Sequence, residues 1–296
     1  ASTRSQLYIV QHDATGQRAV MKTPSRNFMD DPAYIERFLM EEWVGRRIDS
    51  PFVVKVVEPP AQRKFLYYLT EYVEGPTLAQ VIERRSALDV TAVVAIADRL
   101  AQGLRAFHRR ETLHQDLKPD NVVLRGDDPI IIDFGSVYVA GVDEIATTFE
   151  RERALGTLDY SAPEYRLQRP RTPASDQFSL AVVLYELLTG QQPFGEAYQK
   201  AQKPQDFLAL KYVPAFRRNP LVPLWMDGAL RKALHLNAEL RYESLSELIH
   251  DLKNPNPAFL KADQRPLLEK DPVRFWKLLS GALLVSNLLL IALLAW

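Results

Sequence analysis

Residues His114 to Asn121 read H-Q-D-L-K-P-D-N, and Asp133 to Gly135 read D-F-G. An acid, a lysine and an asparagine sit on one short segment. A second acid follows the apolar run Ile130-Ile131-Ile132. Phosphoryl transfer from a nucleotide needs such a set: a carboxylate to orient a hydroxyl, a cation on the moving phosphate, and oxygen ligands for a divalent metal. Either string alone arises by chance. Their order and spacing together rarely do.

Working outward, Gln6 to Val10 and Ala19 to Lys22 read as two strands around the turn Asp13-Ala14-Thr15-Gly16. Tyr34 to Ile48 reads as an amphipathic helix that stops before Pro51, because a proline ring disfavours helix in the residue ahead of it. Phe52 to Val57 and Phe65 to Thr70 are strand-like. From Gly75 the pattern turns to long helical periods. Asp89 is placed to cap a helix running to about Arg110. The apolar stretch Asp176 to Thr189 predicts a buried central helix. Ser244 to Glu247 has capping-box spacing and opens a last helix, and Asn254 to Pro257 is expected to end the globular part.

These parts together resemble a eukaryotic-type Ser/Thr protein kinase over roughly residues 1–252. The resemblance implies an α+β, bilobal fold: a small lobe over 1–74, with part of its phosphate loop missing at Ala1, and a large lobe over 75–254. Ala1 falls inside that loop, so the chain is expected to be a piece of a longer or processed protein. The implied activity is transfer of the γ-phosphate of ATP, with Mg2+, to Ser or Thr of a protein substrate. Asp116 then orients the hydroxyl and takes its proton, and Lys118 neutralises the γ-phosphate. Asn121 and Asp133 bind magnesium, which favours hard oxygen ligands. Lys22 lies on the α- and β-phosphates rather than snorkelling at the surface. Glu41 orients it, in preference to Glu42 or Glu36. Thr70, Glu71 and Val73 correspond to the hinge: Thr70 at the back of the adenine pocket, the other two through their backbones. Ser2 and Ser5 stand where the family has the second and third glycines of its phosphate loop.

Four positions are read as scaffold. His114 is a core histidine; Glu164 pairs with Arg241; Asp176 holds the catalytic loop by its backbone; Thr157 bonds near Asp116 and Lys118. Two positions depart from the family. Gln115 replaces an arginine that grips an activation-loop phosphate, so activity without phosphorylation of Thr147 or Thr148 is expected. Gly45 stands one turn after Glu41, where a large apolar residue is usual. The rival expectation is a pseudokinase that binds a partner without efficient transfer.

Composition bounds the rest. The 296 residues carry formal net charge zero and 47% apolar residues, so no global field favours nucleic acid and there is enough apolar matter for a core. There are no cysteines, which excludes disulfides and thiolate metal sites. Leu278 to Trp296 is nineteen residues without a charge. As a helix it spans about 28 Å, against a hydrocarbon core of roughly 30 Å. It predicts a transmembrane helix over 278–296, a lipid-bilayer contact, after a juxtamembrane linker at 255–277. Lys261, Arg265, Lys270, Arg274 and Lys277 precede the run and no basic residue follows it. The positive-inside rule then keeps the catalytic lobes on the cytoplasmic side of the inner membrane. More narrowly, the chain looks like the kinase half of bacterial proteins that join a metal-dependent, PPM-type phosphatase to a kinase and a terminal span. That implies an N-terminal phosphatase domain outside this chain.

Overall fold

The computed structural model describes residues 5–59, 63–85, 87–139, 158–260 and 272–294; within the last helix, the side chains at 272–274, 285 and 288–294 are outside the description. The small lobe is a four-stranded antiparallel sheet with one helix. Strands β1 (Ser5–Gln11), β2 (Arg18–Pro24), β3 (Val56–Val57) and β4 (Tyr68–Glu71) take the spatial order β1-β2-β4-β3. Helix α1 (Pro32–Arg47) begins at Asp31, whose carboxylate accepts the N–H groups of Ala33 and Tyr34.

The segments expected as strands at 52–57 and 65–70 form shorter strands. The reason is a change of partner. Val53 bridges Ile131 in parallel, and the Val54 N–H donates to the Ile131 carbonyl at 2.8 Å. Phe52 lies in a turn, and Val53 and Val54 are paired to the large lobe. Only Val56 and Val57 pair with β4.

The large lobe contains α2 (Leu78–Arg85), α3 (Val90–His108), β5 (Thr112–Leu113), β6 (Val122–Arg125), β7 (Asp128–Ile131), β8 (Tyr138–Val139), α4 (Pro163–Arg166) and α5 (Pro173–Thr189). Then follow α6 (Ala197–Lys200), α7 (Pro204–Leu208), α8 (Ala215–Arg218), α9 (Leu224–Ala233), α10 (Leu245–Lys253) and α11 (Pro257–Leu260). Asp89 caps α3 by accepting the Thr91 N–H, and Ser244 caps α10 by accepting the Glu247 N–H, both as expected. From Phe178 to Leu188 only Glu186 of α5 is not buried, so this helix is the axis of the lobe. Few surfaces of it face water, which is why its apolar residues show no single stripe.

The packing runs past Asn254. Phe259 of α11 lies over Gly228 of α9, where a Cβ would come within 2.4 Å of the Phe259 Cβ. A bare helix backbone is the slot that holds this ring. The lobes meet through the chain that follows β4. Gly75 has φ +149°, and a Cβ there would lie 1.8 Å from the Leu124 carbonyl oxygen of β6. Only glycine permits both that dihedral and that approach.

Residues 278–294 of the predicted span fall in α12 (Pro272–Leu294), and 295–296 lie outside the described residues. Leu278, Leu283 and Leu284 in it are exposed. Among the described residues no helix is long and apolar enough to cross a membrane.

Candidate active site

Lys22 is placed by the alternation of β2. It sits opposite Leu7 of β1 and Tyr68 of β4, so these side chains share one face of the sheet. That face looks onto α1. The Lys22 Nζ lies 2.6 Å from Glu41 Oε2 and 3.1 Å from Asp133 Oδ1. Burial alone would lower the ammonium pKa, but Asp133 and Glu41 outweigh it and hold the pKa well above its usual value. Tyr68, buried behind, donates its hydroxyl to Glu41 Oε2 at 3.0 Å. Burial and the neighbouring Glu41 charge push its phenol pKa up, so it stays a donor.

The three acids of α1 separate by helical phase. Glu41 faces Lys22. Glu42 points to Arg63 and Arg46, at 2.6 and 2.8 Å. Glu36 is exposed. One residue along a helix is a rotation of about 100°, which is what divides Glu41 from Glu42.

The His114–Asn121 segment is held from beneath by Asp176. Its carboxylate accepts the N–H groups of His114 and Gln115, both at 2.9 Å, and lies 2.9 Å from His108 Nε2. Burial works to raise the Asp176 pKa; the hydrogen bond from His108 leads the contributions that bring it below the usual value. Gln115 has φ +67°, a region that non-glycine residues rarely enter. The two bonds to Asp176 hold the backbone there. His114 is buried, edge-on to Phe107 at 5.3 Å, as expected of a core residue.

Beyond that support, the chain folds back on itself through the 3-10 turn Pro119–Asn121. Asn121 Nδ2 donates to the Asp116 carbonyl at 2.9 Å and to Asp116 Oδ2 at 3.1 Å. Lys118 Nζ is 3.1 Å from the same Oδ2. The Ile132 N–H donates to the Asn121 carbonyl at 2.9 Å, which sets Asp133 beside Asn121. Asp133 Oδ1 accepts the Gly135 N–H at 3.0 Å. The structure thus gathers Lys22, Glu41, Asp116, Lys118, Asn121 and Asp133. The Asn121 amide spends its N–H group on Asp116, which leaves its oxygen for a hard cation. Asn121 and Asp133 therefore fit magnesium in donor type.

The hinge residues are also in place. Thr70 is buried opposite Val20, on the face shared with Lys22. The Glu71 N–H donates to the Lys55 carbonyl at 2.9 Å, and its carboxylate pairs with Arg125 of β6 at 2.9 Å. Val73 packs against the core. The Ser5 hydroxyl is 2.9 Å from the Tyr34 hydroxyl of α1. Ser2, Thr147, Thr148 and Thr157 lie outside the described residues. Glu164 and Arg241 form the expected pair, at 2.7 and 3.0 Å.

Gly45 has a physical explanation. A Cβ there would lie 2.5 Å from Val56 Cγ2 and 2.8 Å from Phe134 Cε2. The Phe134 ring fills the volume that a larger residue would take. Gly45→Leu should therefore force α1 away from Phe134, since overpacking of this kind costs about 1–3 kcal/mol. Steady-state transfer kinetics should show kcat/KM lowered by roughly tenfold or more; an unchanged value would show that the contact does not set the helix. Sequence reading missed Tyr34 and Tyr68. Only the pairing of Lys22 with Tyr68 across the sheet could have pointed to the latter.

Comparison with known proteins agrees with this geometry. The protein kinase domain matches residues 3–257. A probable serine/threonine-protein kinase of Clostridium acetobutylicum is 25% identical over 274 residues, covering 90% of this chain and 40% of that protein. The serine/threonine-protein kinase PrkC of Bacillus subtilis is 26% identical over 272 residues, with coverage of 90% and 40%. The crystal structure of the Mycobacterium tuberculosis PknI kinase domain superposes with a TM-score of 0.63 at 25% identity, covering 86% of this chain and 92% of that one. The chain spans about two fifths of the length of the curated relatives it matches.

Proposed function

The chain belongs to the protein kinase family, and from that premise we propose that it is an ATP-dependent protein serine/threonine kinase. The observation that carries this reading is Lys22, held charged between Glu41 and Asp133. A scaffold that only binds a partner has no use for a half-buried cation aimed at a carboxylate across the cleft. Nothing in the geometry favours the pseudokinase alternative.

The residues divide the work as follows. Leu7, Val20 and Thr70 lie on the Lys22 face of the sheet; Leu7 and Val20 would cover a purine, with Thr70 at the back and hinge backbone at its edge. Lys22 meets the α- and β-phosphates. Asn121 and Asp133 would hold a magnesium ion, which would supply charge neutralisation on the phosphate oxygens. Asp116 orients the substrate hydroxyl and accepts its proton. Lys118, already beside Asp116, stabilises charge on the γ-phosphate as it moves. Lysine followed by proline at 118–119 resembles Ser/Thr rather than tyrosine kinases. Incorporation of labelled γ-phosphate into a Ser/Thr protein substrate, present in the wild type and lost in Asp116→Asn, tests the reading.

The same proposal places the kinase at the cytoplasmic face of the inner membrane, anchored through 278–296. It rests on the uncharged run, its basic flank and the exposed leucines of α12. The polar pair within it is satisfied locally: Ser286 and Asn287 donate to the Leu283 carbonyl of their own helix at 3.1 and 2.9 Å. The full chain should sediment with membranes and resist carbonate extraction, whereas a chain ending at Leu260, which keeps Phe259 in its slot, should stay in the supernatant with its activity. A soluble full chain would overturn the anchor. A fused PPM-type phosphatase is kept as part of this reading on resemblance alone.

A further inference from the structure

Ser5 opens β1, at a position where the kinase pattern has glycine, and its hydroxyl lies 2.9 Å from the Tyr34 hydroxyl. Tyr34 is itself fixed. Its N–H is bound by the Asp31 cap, its ring packs on Phe28 at 5.4 Å, and it is 7% exposed. The face of the sheet is the right one. Ser5 sits opposite Pro24 and Leu7 opposite Lys22, so Ser5 and Lys22 project to the same side, two residue pairs apart. Lys22 reaches α1 through Glu41; Ser5 reaches it two turns earlier through Tyr34. The strand that leaves the phosphate loop is thus tied to the same helix that orients the phosphate-binding lysine.

We propose that Tyr34 and Ser5 form a tether that positions the phosphate loop, with Tyr34 a positioning residue for ATP. The inference rests on the kinase reading. A glycine loop is free to close on phosphate but must be ordered when it does so, and ordering backbone costs about 1–2 kcal/mol per residue. Serine gives up some backbone freedom and gains a hydroxyl. Anchored to Tyr34, that hydroxyl holds the start of β1 in place before nucleotide arrives, which lowers the ordering loss on binding. The departure from glycine then adds to ATP affinity instead of subtracting from it.

The test is a double-variant cycle on the full chain. Tyr34→Phe removes one oxygen and leaves the ring on Phe28; Ser5→Ala removes the other partner. Each should raise the KM for ATP about fivefold, the size of one net hydrogen bond, while kcat changes less than the KM. The double variant should be no worse than either single, and Ser5→Thr, which restores a hydroxyl, should return the KM toward wild type. Hydrogen exchange without nucleotide gives a second readout: amides of Gln6 to Tyr8 should exchange faster in Tyr34→Phe, with those of the α1 interior unchanged. Additive effects, or an unchanged KM together with unchanged exchange in β1, would overturn the tether. A wild-type chain that transfers no phosphate would instead sink the kinase reading, and the exchange measurement would still decide whether the tether exists.

Discussion

Asp116→Asn and Asp133→Asn should each lower phosphoryl transfer about a thousandfold, or ~4 kcal/mol of transition-state stabilisation. In the proposed mechanism both carboxylates act on charge that develops during reaction, and neither is part of the apolar core. Asn at 116 keeps the size of the side chain and its neighbours Lys118 and Asn121, but cannot accept the hydroxyl proton. Asn at 133 loses the charge that pairs with Lys22 and that the proposed mechanism uses to hold magnesium. The thermal midpoint should move little in either variant. Near wild-type turnover in either would refute the mechanism. A collapse of stability would show instead that the carboxylate had been serving the fold.

Arg241→Met should give the largest loss of stability. The guanidinium is fully buried and bidentate on Glu164, with further bonds to the carbonyls of Ala174 and His235. Removing it strands the Glu164 carboxylate, which is 4% exposed and, among the described residues, keeps the Ser175 hydroxyl. Breaking one side of such a pair costs about 3–5 kcal/mol. Equilibrium urea unfolding should show it as a lowered midpoint. Adding Glu164→Gln should recover part of the loss, because the stranded charge is then gone. A change under about 1 kcal/mol in the single variant would mean that the pair behaves as if it were solvent-screened.

How much of this was legible beforehand varied with the range of the interaction. Asp89 and Ser244 were readable as caps because a cap is made within three residues of itself. The catalytic segment was readable because Asp116, Lys118 and Asn121 contact one another inside six residues. The strand at 52–57 was misjudged in extent, since its pattern reports an extended backbone and says nothing of the partner. Ile131, far along the chain, claimed its first half. The docking of α11 is not legible for a similar reason: Phe259 reads as an ordinary aromatic until Gly228 of another helix offers it a slot.

The sequence by itself determined the family, the chemistry of the site and the identity of its six central residues. Those properties depend on residue type and short spacing, which any reader of the chain can see. The tertiary structure alone decided that Tyr68 backs Glu41, that Phe134 occupies the place left at Gly45, and that Ser5 answers to Tyr34. Each is a contact between elements brought together by burial of the core, where a rotation of one residue or the absence of one Cβ changes which atoms touch. Spacing along the chain carries no record of that.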